Sequence, residues 1–195
     1  MSFINYRDKE INFKIVYYGS ALSGKTSSLK FIHKRSEGKD VSKLTIDTGN
    51  ERTLFFDFVP LYLSSTNGYK TRFHLYTVPG QVLYDDSRRL ILKGVDGIVF
   101  VVDSLIDKMD SNLKSLENLK ANLADEGIAF DKIPIVFQYN KRDMPQVANL
   151  EALEKLINPL NAPGFETVAT KGEGVFESFK ELAKLVVRDQ APKQA

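Results

Sequence analysis

No cysteine occurs among the 195 residues. That absence removes disulfides, thiol nucleophiles and cysteine zinc sites, and with them prenyl and palmitoyl anchors. Histidine is scarce: His33 and His74 are the two present. They stand far apart in sequence and read as surface or sheet residues rather than metal ligands. Neither charge sign is in excess, with 27 Lys and Arg against 25 Asp and Glu. This near balance offers nothing to a phosphodiester backbone or an anionic membrane surface, so no nucleic-acid partner is expected. The opening residues, from Met1 to Arg7, carry no apolar signal core, and no run long enough to span a bilayer follows. Position 2 is Ser2, where N-myristoylation requires glycine. The expected location is the cytoplasm, without a lipid anchor. Any recruitment to a membrane or a cell pole is expected through partners.

What is present is ordinary globular material, 43% hydrophobic and 27% charged. The length suits one well-buried domain and is short for two. One domain over 1–188 is expected, with 189–195 a flexible polar tail. Strand and helix signals alternate along it. Ile11–Tyr18 reads as a buried strand, and a helix then extends to about Arg35. Leu54–Leu63 and Thr71–Val78 read as strands joined by a turn holding Asn67-Gly68, a strong hairpin signal. Tyr84–Lys93 reads as a short helix, Gly97–Val102 and Ile133–Gln138 as strands covered on both faces, and Asp107–Asp125 as a helix. Leu150–Ile157 reads as a helix and Phe165–Val168 as a strand. Val175–Val187 reads as a closing helix that buries Val175, Phe179, Leu182 and Val186. The alternation predicts an α/β fold: a mostly parallel six-stranded sheet with one antiparallel edge strand and helices on both faces.

Between the first strand and helix lies Gly19-Ser20-Ala21-Leu22-Ser23-Gly24-Lys25-Thr26, a complete G-x-x-x-x-G-K-[ST] phosphate loop. The two glycines let successive N–H groups point inward at phosphate oxygens, and the helix that opens after the motif at Ser27 adds a positive partial charge. Lys25 supplies a point charge to the β- and γ-phosphates, and Thr26 offers a hydroxyl to Mg²⁺. After the strand ending at Gln138 comes Asn140-Lys141-Arg142-Asp143, an N-K-x-D motif. Asp143 can accept from the N1–H and N2–H₂ edge of guanine, a donor pair adenine lacks. Asn140 would brace neighbouring loops, and the stem of Lys141 can cover the base plane. Ala169-Thr170-Lys171 opens a loop after the next strand that can present a backbone N–H to the guanine O6.

In this order the motifs resemble those of the Ras-like small GTPases. The closer similarity is to the bacterial MglA proteins, the polarity and gliding-motility GTPases. It is carried by 51–58 (from Glu51 to Phe58), 71–81 (from Thr71 to Gln81) and 90–97 (from Leu90 to Gly97). The resemblance implies a P-loop G domain that binds GTP and GDP with Mg²⁺ and hydrolyses GTP slowly until a partner stimulates it. It implies Thr53 as the switch threonine on γ-phosphate and metal, Gly80 at the γ-phosphate, and Gln81 as the residue that orients the attacking water. Arg52 reads equally well, on the residues alone, as an exposed arginine paired with Glu51 or Asp47; the resemblance makes it an intrinsic arginine finger. The implied activating partner is an MglB-like Roadblock-fold protein, with effectors at the switch surface.

One departure stands out. Ras-like proteins carry Asp-x-x-Gly where this chain has Thr77-Val78-Pro79-Gly80. A hydroxyl replaces a carboxylate that would hold a water of the Mg²⁺ shell, and Asp57 is the expected substitute through water. The same change leaves an alternative open: a regulatory module that binds GTP with negligible hydrolysis. The following Asp85-Asp86-Ser87-Arg88-Arg89 is expected to be exposed and mobile. At least one of Phe55, Phe56 and Phe58 is expected to meet a partner or dock on a neighbouring helix.

Overall fold

The computed structural model describes residues 3–5, 9–36, 58–66, 69–79 and 85–190. The strands are β1 (Phe3–Asn5), β2 (Glu10–Tyr18), β3 (Phe58–Thr66), β4 (Tyr69–Thr77), β5 (Gly97–Asp103), β6 (Ile135–Asn140) and β7 (Gly164–Thr167). The helices are α1 (Lys25–Ser36), α2 (Asp85–Leu92), α3 (Met109–Asp125), α4 (Leu150–Ile157) and α5 (Val175–Gln190). A 3-10 turn, Ile106–Lys108, leads into α3.

The sheet order is β3-β4-β2-β5-β6-β7. β4, β2, β5, β6 and β7 run parallel. β3 is antiparallel to β4, from Phe58 opposite Tyr76 to Thr66 opposite Tyr69, and β1 is antiparallel to β2. Among the described residues the six-stranded expectation is therefore corrected to five parallel strands joined by two antiparallel ones. β1 escapes a sequence reading because three residues show no period, and its backbone hydrogen bonds come from a register that only the folded chain supplies. The β3–β4 pairing bears out the hairpin, although Asn67 and Gly68 themselves lie outside the described residues.

Side-chain parity divides the core. Phe13, Ile15 and Tyr17 of β2 face one way, with Phe73, Leu75, Val99, Val101 and Val136. Leu29 and Ile32 of α1 and Val175, Phe179, Leu182 and Val186 of α5 cover that layer. Val16 and Tyr18 face the other way, with Ile98, Phe100, Val102, Phe137 and Tyr139, under α2, α3 and α4. The period of two in each central strand leaves no polar face, as parallel strands between two helix layers require. The α5 stripe is buried at all four expected positions. That helix continues to Gln190, past the end at Val187 that the sequence predicts.

From β2 the chain moves outward to β4 on one side and returns to β5 on the other. The carboxyl end of β2 is thus the topological switch point, where open α/β sheets hold their ligands. The phosphate-loop motif sits there.

Candidate nucleotide-binding site

The loop between β2 and α1 is shaped by three residues with left-handed backbone: Gly19 (φ +142), Leu22 (φ +60) and Gly24 (φ +110). A Cβ on Gly19 would lie 2.2 Å from the Val101 carbonyl oxygen, and one on Gly24 would lie 2.0 Å from Asn140 Nδ2. Both glycines are therefore required by conformation and by space. Leu22 takes the same region at a cost, with its side chain 88% exposed. Gly24→Ala is expected to lower stability by about 1–3 kcal/mol through strain alone and to push Asn140 away from the loop. Urea unfolding of the nucleotide-free chain checks the first effect and GDP titration the second.

Lys25 is buried, and its ammonium donates to the carbonyls of Gly19 at 3.0 Å and Ser20 at 2.6 Å. Burial pushes its pKa down from 10.5 to about 7, and the nearby Arg88 charge adds to the shift. The unfolded chain keeps this proton well above pH 7, while the folded nucleotide-free chain releases it. Stability of the nucleotide-free chain accordingly rises with pH between about 7 and 10.5. An anionic phosphate reverses the balance by favouring the charged lysine. GDP binding at pH 8.5 is expected to take up about one proton. Calorimetry in two buffers of different ionisation enthalpy measures it, and equal heats would contradict it.

Asn140, at the end of β6, is buried and joins two loops. Its Nδ2 donates to the Ser23 carbonyl at 2.7 Å. Its Oδ1 accepts from the Ala169 backbone N–H at 2.9 Å and from Thr167 Oγ1 at 3.2 Å. The phosphate-loop motif and the loop that opens at Ala169 are thus held by one side chain, which braces neighbouring loops as expected of Asn140. Asp143, 31% exposed at its side chain, lies 3.1 Å from Lys171 Nζ in that second loop. Lys141 has φ +68, and its ammonium lies 2.5 Å from Asp103 Oδ2 at the end of β5. The Ala169 N–H is thereby engaged by Asn140.

Several participants were not anticipated. Asn112 of α3 donates to the Asp103 carbonyl at 2.8 Å and accepts from the Asp103 N–H at 3.1 Å and from Ser20 Oγ at 3.2 Å. It pins the phosphate loop to β5. Arg88 corrects the expectation of an exposed, mobile 85–89 segment: it lies in α2 and is 4% exposed. Its Nε donates to the Pro79 carbonyl at 2.9 Å and its Nη1 to Asn118 Oδ1 at 2.6 Å. Arg89 does face solvent, paired with Asp125 at 3.2 Å. Asp103 carried a signal, an acid closing an apolar strand at its carboxyl end. Asn112 and Arg88 carried none, because their partners are remote in sequence.

Thr77 ends β4 in a buried position opposite Tyr17. Thr26 is exposed at the second position of α1, next to Ser27. Among the described residues no group of three or more His, Asp or Glu could hold a metal, and no helix is long and apolar enough to cross a membrane. Arg52, Thr53, Asp57, Gly80 and Gln81, together with Phe55 and Phe56, lie outside the described residues; Phe58 opens β3.

Comparison with known proteins places this geometry in context. The model of the ADP-ribosylation factor family matches residues 2–186. The mutual gliding-motility protein MglA of Myxococcus xanthus (strain DK1622) is 55% identical over 190 residues, covering 97% of this chain and 97% of that protein. Human ADP-ribosylation factor-like protein 4A is 24% identical, covering 91% of this chain and 84% of that protein. The Ras-related protein Rab-5B of Plasmodium falciparum (isolate 3D7) is 26% identical, covering 93% and 80%.

Proposed function

Since this chain belongs to the ADP-ribosylation factor family of Ras-like small GTPases, alongside MglA, it is a GTP hydrolase, and we propose that it works as a GTP/GDP switch controlling gliding motility or cell polarity. What supports the guanine-nucleotide reading is the Asn140 junction, where one side chain braces both the phosphate-loop motif and the loop that opens at Ala169. In this reading the amides of residues 19–24, with Lys25 and Ser27, grip the phosphates. Asp143 reads the guanine N1 and N2 donors, and the Thr170 N–H meets O6, with Ala169 and Lys171 on either side of it. The Lys141 stem, steered by Asp103, lies along the base.

The donor set suits a magnesium ion that keeps most of its water, because Thr26 offers a hard neutral oxygen open to solvent. When bound, that ion neutralises charge on the β- and γ-phosphates. Thr26 and Thr53 would hold it, with Asp57 acting through water in place of the carboxylate that Thr77 replaces. Gln81 would orient the water, and Arg52 would meet charge developing at the β–γ bridge. Gly80 would donate to the γ-phosphate, so that hydrolysis frees the segments carrying it and Thr53. The family implies regulatory partners. The specific partner proposed is an MglB-like Roadblock-fold protein that speeds hydrolysis.

Single-turnover GTP hydrolysis with and without that partner tests the reading. Arg52→Ala is expected to cut the stimulated rate about 10³-fold while GDP affinity holds. An unchanged rate in both conditions would remove Arg52 from the chemistry. Asp57→Asn should raise the Mg²⁺ concentration needed for half-maximal hydrolysis, and an unaltered requirement would remove Asp57 from the metal site.

A further inference from the structure

Gly172 lies in the loop that follows β7, with φ +82. A Cβ built there would lie 1.9, 2.0 and 2.3 Å from ring atoms Cε2, Cζ and Cδ2 of Phe31. The ring fills the space a side chain at 172 would need. Phe31 belongs to α1, the helix that starts at Lys25, and sits about 9 Å along its axis from that lysine. One helix therefore touches the phosphate end of the site through its first turn and the base end through this ring.

The loop is tightly wound. The N–H groups of Lys171 and Gly172 both donate to the Val168 carbonyl, at 2.9 and 2.7 Å, and the Val168 N–H donates to the Glu173 carbonyl at 3.1 Å. Asn140 fixes its entry through the Ala169 N–H. The Phe31 ring meets its exit. The helix bearing the ring is itself held in place. Ser28 Oγ donates to Gln138 Oε1 at 3.1 Å, and Gln138 Nε2 to Ser178 Oγ at 2.6 Å, tying α1 to β6 and α5. Further along, the Arg35 guanidinium stacks on the Phe176 ring at 4.6 Å.

We propose that Phe31 is a positioning residue for purine recognition: its ring props the Thr170–Gly172 segment so that the Thr170 N–H meets the guanine O6. The ring is half-buried at the rim of the α1–α5 core, so its contribution to that core is limited while its contact with the loop is direct. The inference rests on the guanine-nucleotide reading above. It predicts a signature that a γ-phosphate sensor would not give, because the contact lies at the base end and is blind to the third phosphate.

Release of fluorescent GDP and GTP from the full chain tests it. Phe31→Ala is expected to speed release of both about tenfold. Hydrolysis at saturating GTP should stay within about twofold of wild type. A second probe, the diphosphate of 2-aminopurine riboside, lacks O6 and with it the N1–H that Asp143 would meet; the wild type should prefer GDP over it, and the preference should shrink in Phe31→Ala by the O6 share alone. Phe31→Leu should fall between. Phe176→Ala, which removes the ring that Arg35 stacks on and leaves Phe31 and Gly172 unaltered, should lower Tm but leave release rates and the preference in place. Should Phe31→Ala fail to fold, Gly172→Ala reaches the same point from the other side by driving the loop off the ring, and faster release of both nucleotides is again expected. Wild-type release rates and an intact preference in the folded variants overturn the role of Phe31. A wild-type chain that binds neither GDP nor GTP overturns the guanine reading as well.

Discussion

Asp143→Asn is expected to move the purine preference from guanine toward xanthine. The guanine edge offers two donors, N1–H and the C2 amino group, and a carboxylate offers two acceptors. An asparagine amide offers one acceptor and one donor, so it loses one bond and turns an N–H toward another N–H. Leaving a donor facing a donor in a shielded site weakens GDP about 10²–10³-fold, which is about 3–4 kcal/mol. Xanthine carries a carbonyl at C2, which the amide N–H can meet. The diphosphate of xanthosine should therefore bind the variant more tightly than the wild type. The fold should survive, because the Asp143–Lys171 pair is solvent-accessible on both sides and worth at most about 1 kcal/mol. Competition titration of the two diphosphates measures the change. An unaltered GDP affinity would take Asp143 out of base recognition.

The layered fold was legible because its signals are local and periodic. Parity in β2, β5 and β6 separates two helix-covered faces, and the spacing of Val175, Phe179, Leu182 and Val186 writes one stripe on α5. Val175 and Val186 bracket the stripe, and no charged residue interrupts it. What parity could not reveal is polarity inside an apolar strand. Gln138 interrupts β6, yet it is buried because Ser28 and Ser178 meet it from two helices. Arg88 is the same lesson on a helix. Its surroundings in sequence are charged, and a charged run predicts a solvated face. The Pro79 carbonyl and Asn118 supply polar partners inside the fold, and burial follows from those partners rather than from the run.

In the site, contiguous motifs were readable because their chemistry is made by consecutive backbone groups. Gly19 and Gly24 need no distant residue to declare a phosphate cradle, and Asn140 could be assigned a bracing role from its position after a buried strand. The supporting contacts were not readable. Ser20 and Asn112 are 92 positions apart, and Ser23 and Asn140 are 117 apart. Nothing in either neighbourhood names the other. Phe31 and Gly172 are 141 positions apart, and neither neighbourhood carries a signal of the other. Their relation exists only after α1 has packed beside the loop. The sequence left open which amide of the Ala169-Thr170-Lys171 loop is free to donate; Asn140 takes the first of them, a contact the sequence hides.

Asn140→Ala is expected to weaken GDP and GTP alike, by at least about 10²-fold, without changing which purine is preferred. The reasoning follows from the three bonds this side chain makes. Truncation leaves the Ser23 carbonyl, the Ala169 N–H and the Thr167 hydroxyl without their partner in a buried region. Each such loss costs about 1–3 kcal/mol, and the three are not additive because the loops can relax. A destabilisation of about 2–4 kcal/mol is therefore expected in urea unfolding of the nucleotide-free chain. The two loops would then position phosphate and base independently, and the entropic advantage of presenting both at once would be lost. Purine choice would persist, because Asp143 remains. Asn140→Asp separates the two halves of the role. Its carboxylate still accepts from Ala169 and Thr167, but it faces the Ser23 carbonyl with no proton to donate. That variant should keep the base-side loop in place and release the phosphate loop, so faster nucleotide release would persist while discrimination at O6 stayed at the wild-type level. If Asn140→Ala bound GDP as tightly as the wild type, the two loops would be set by their own backbones, and the junction would be a consequence of the site rather than its support.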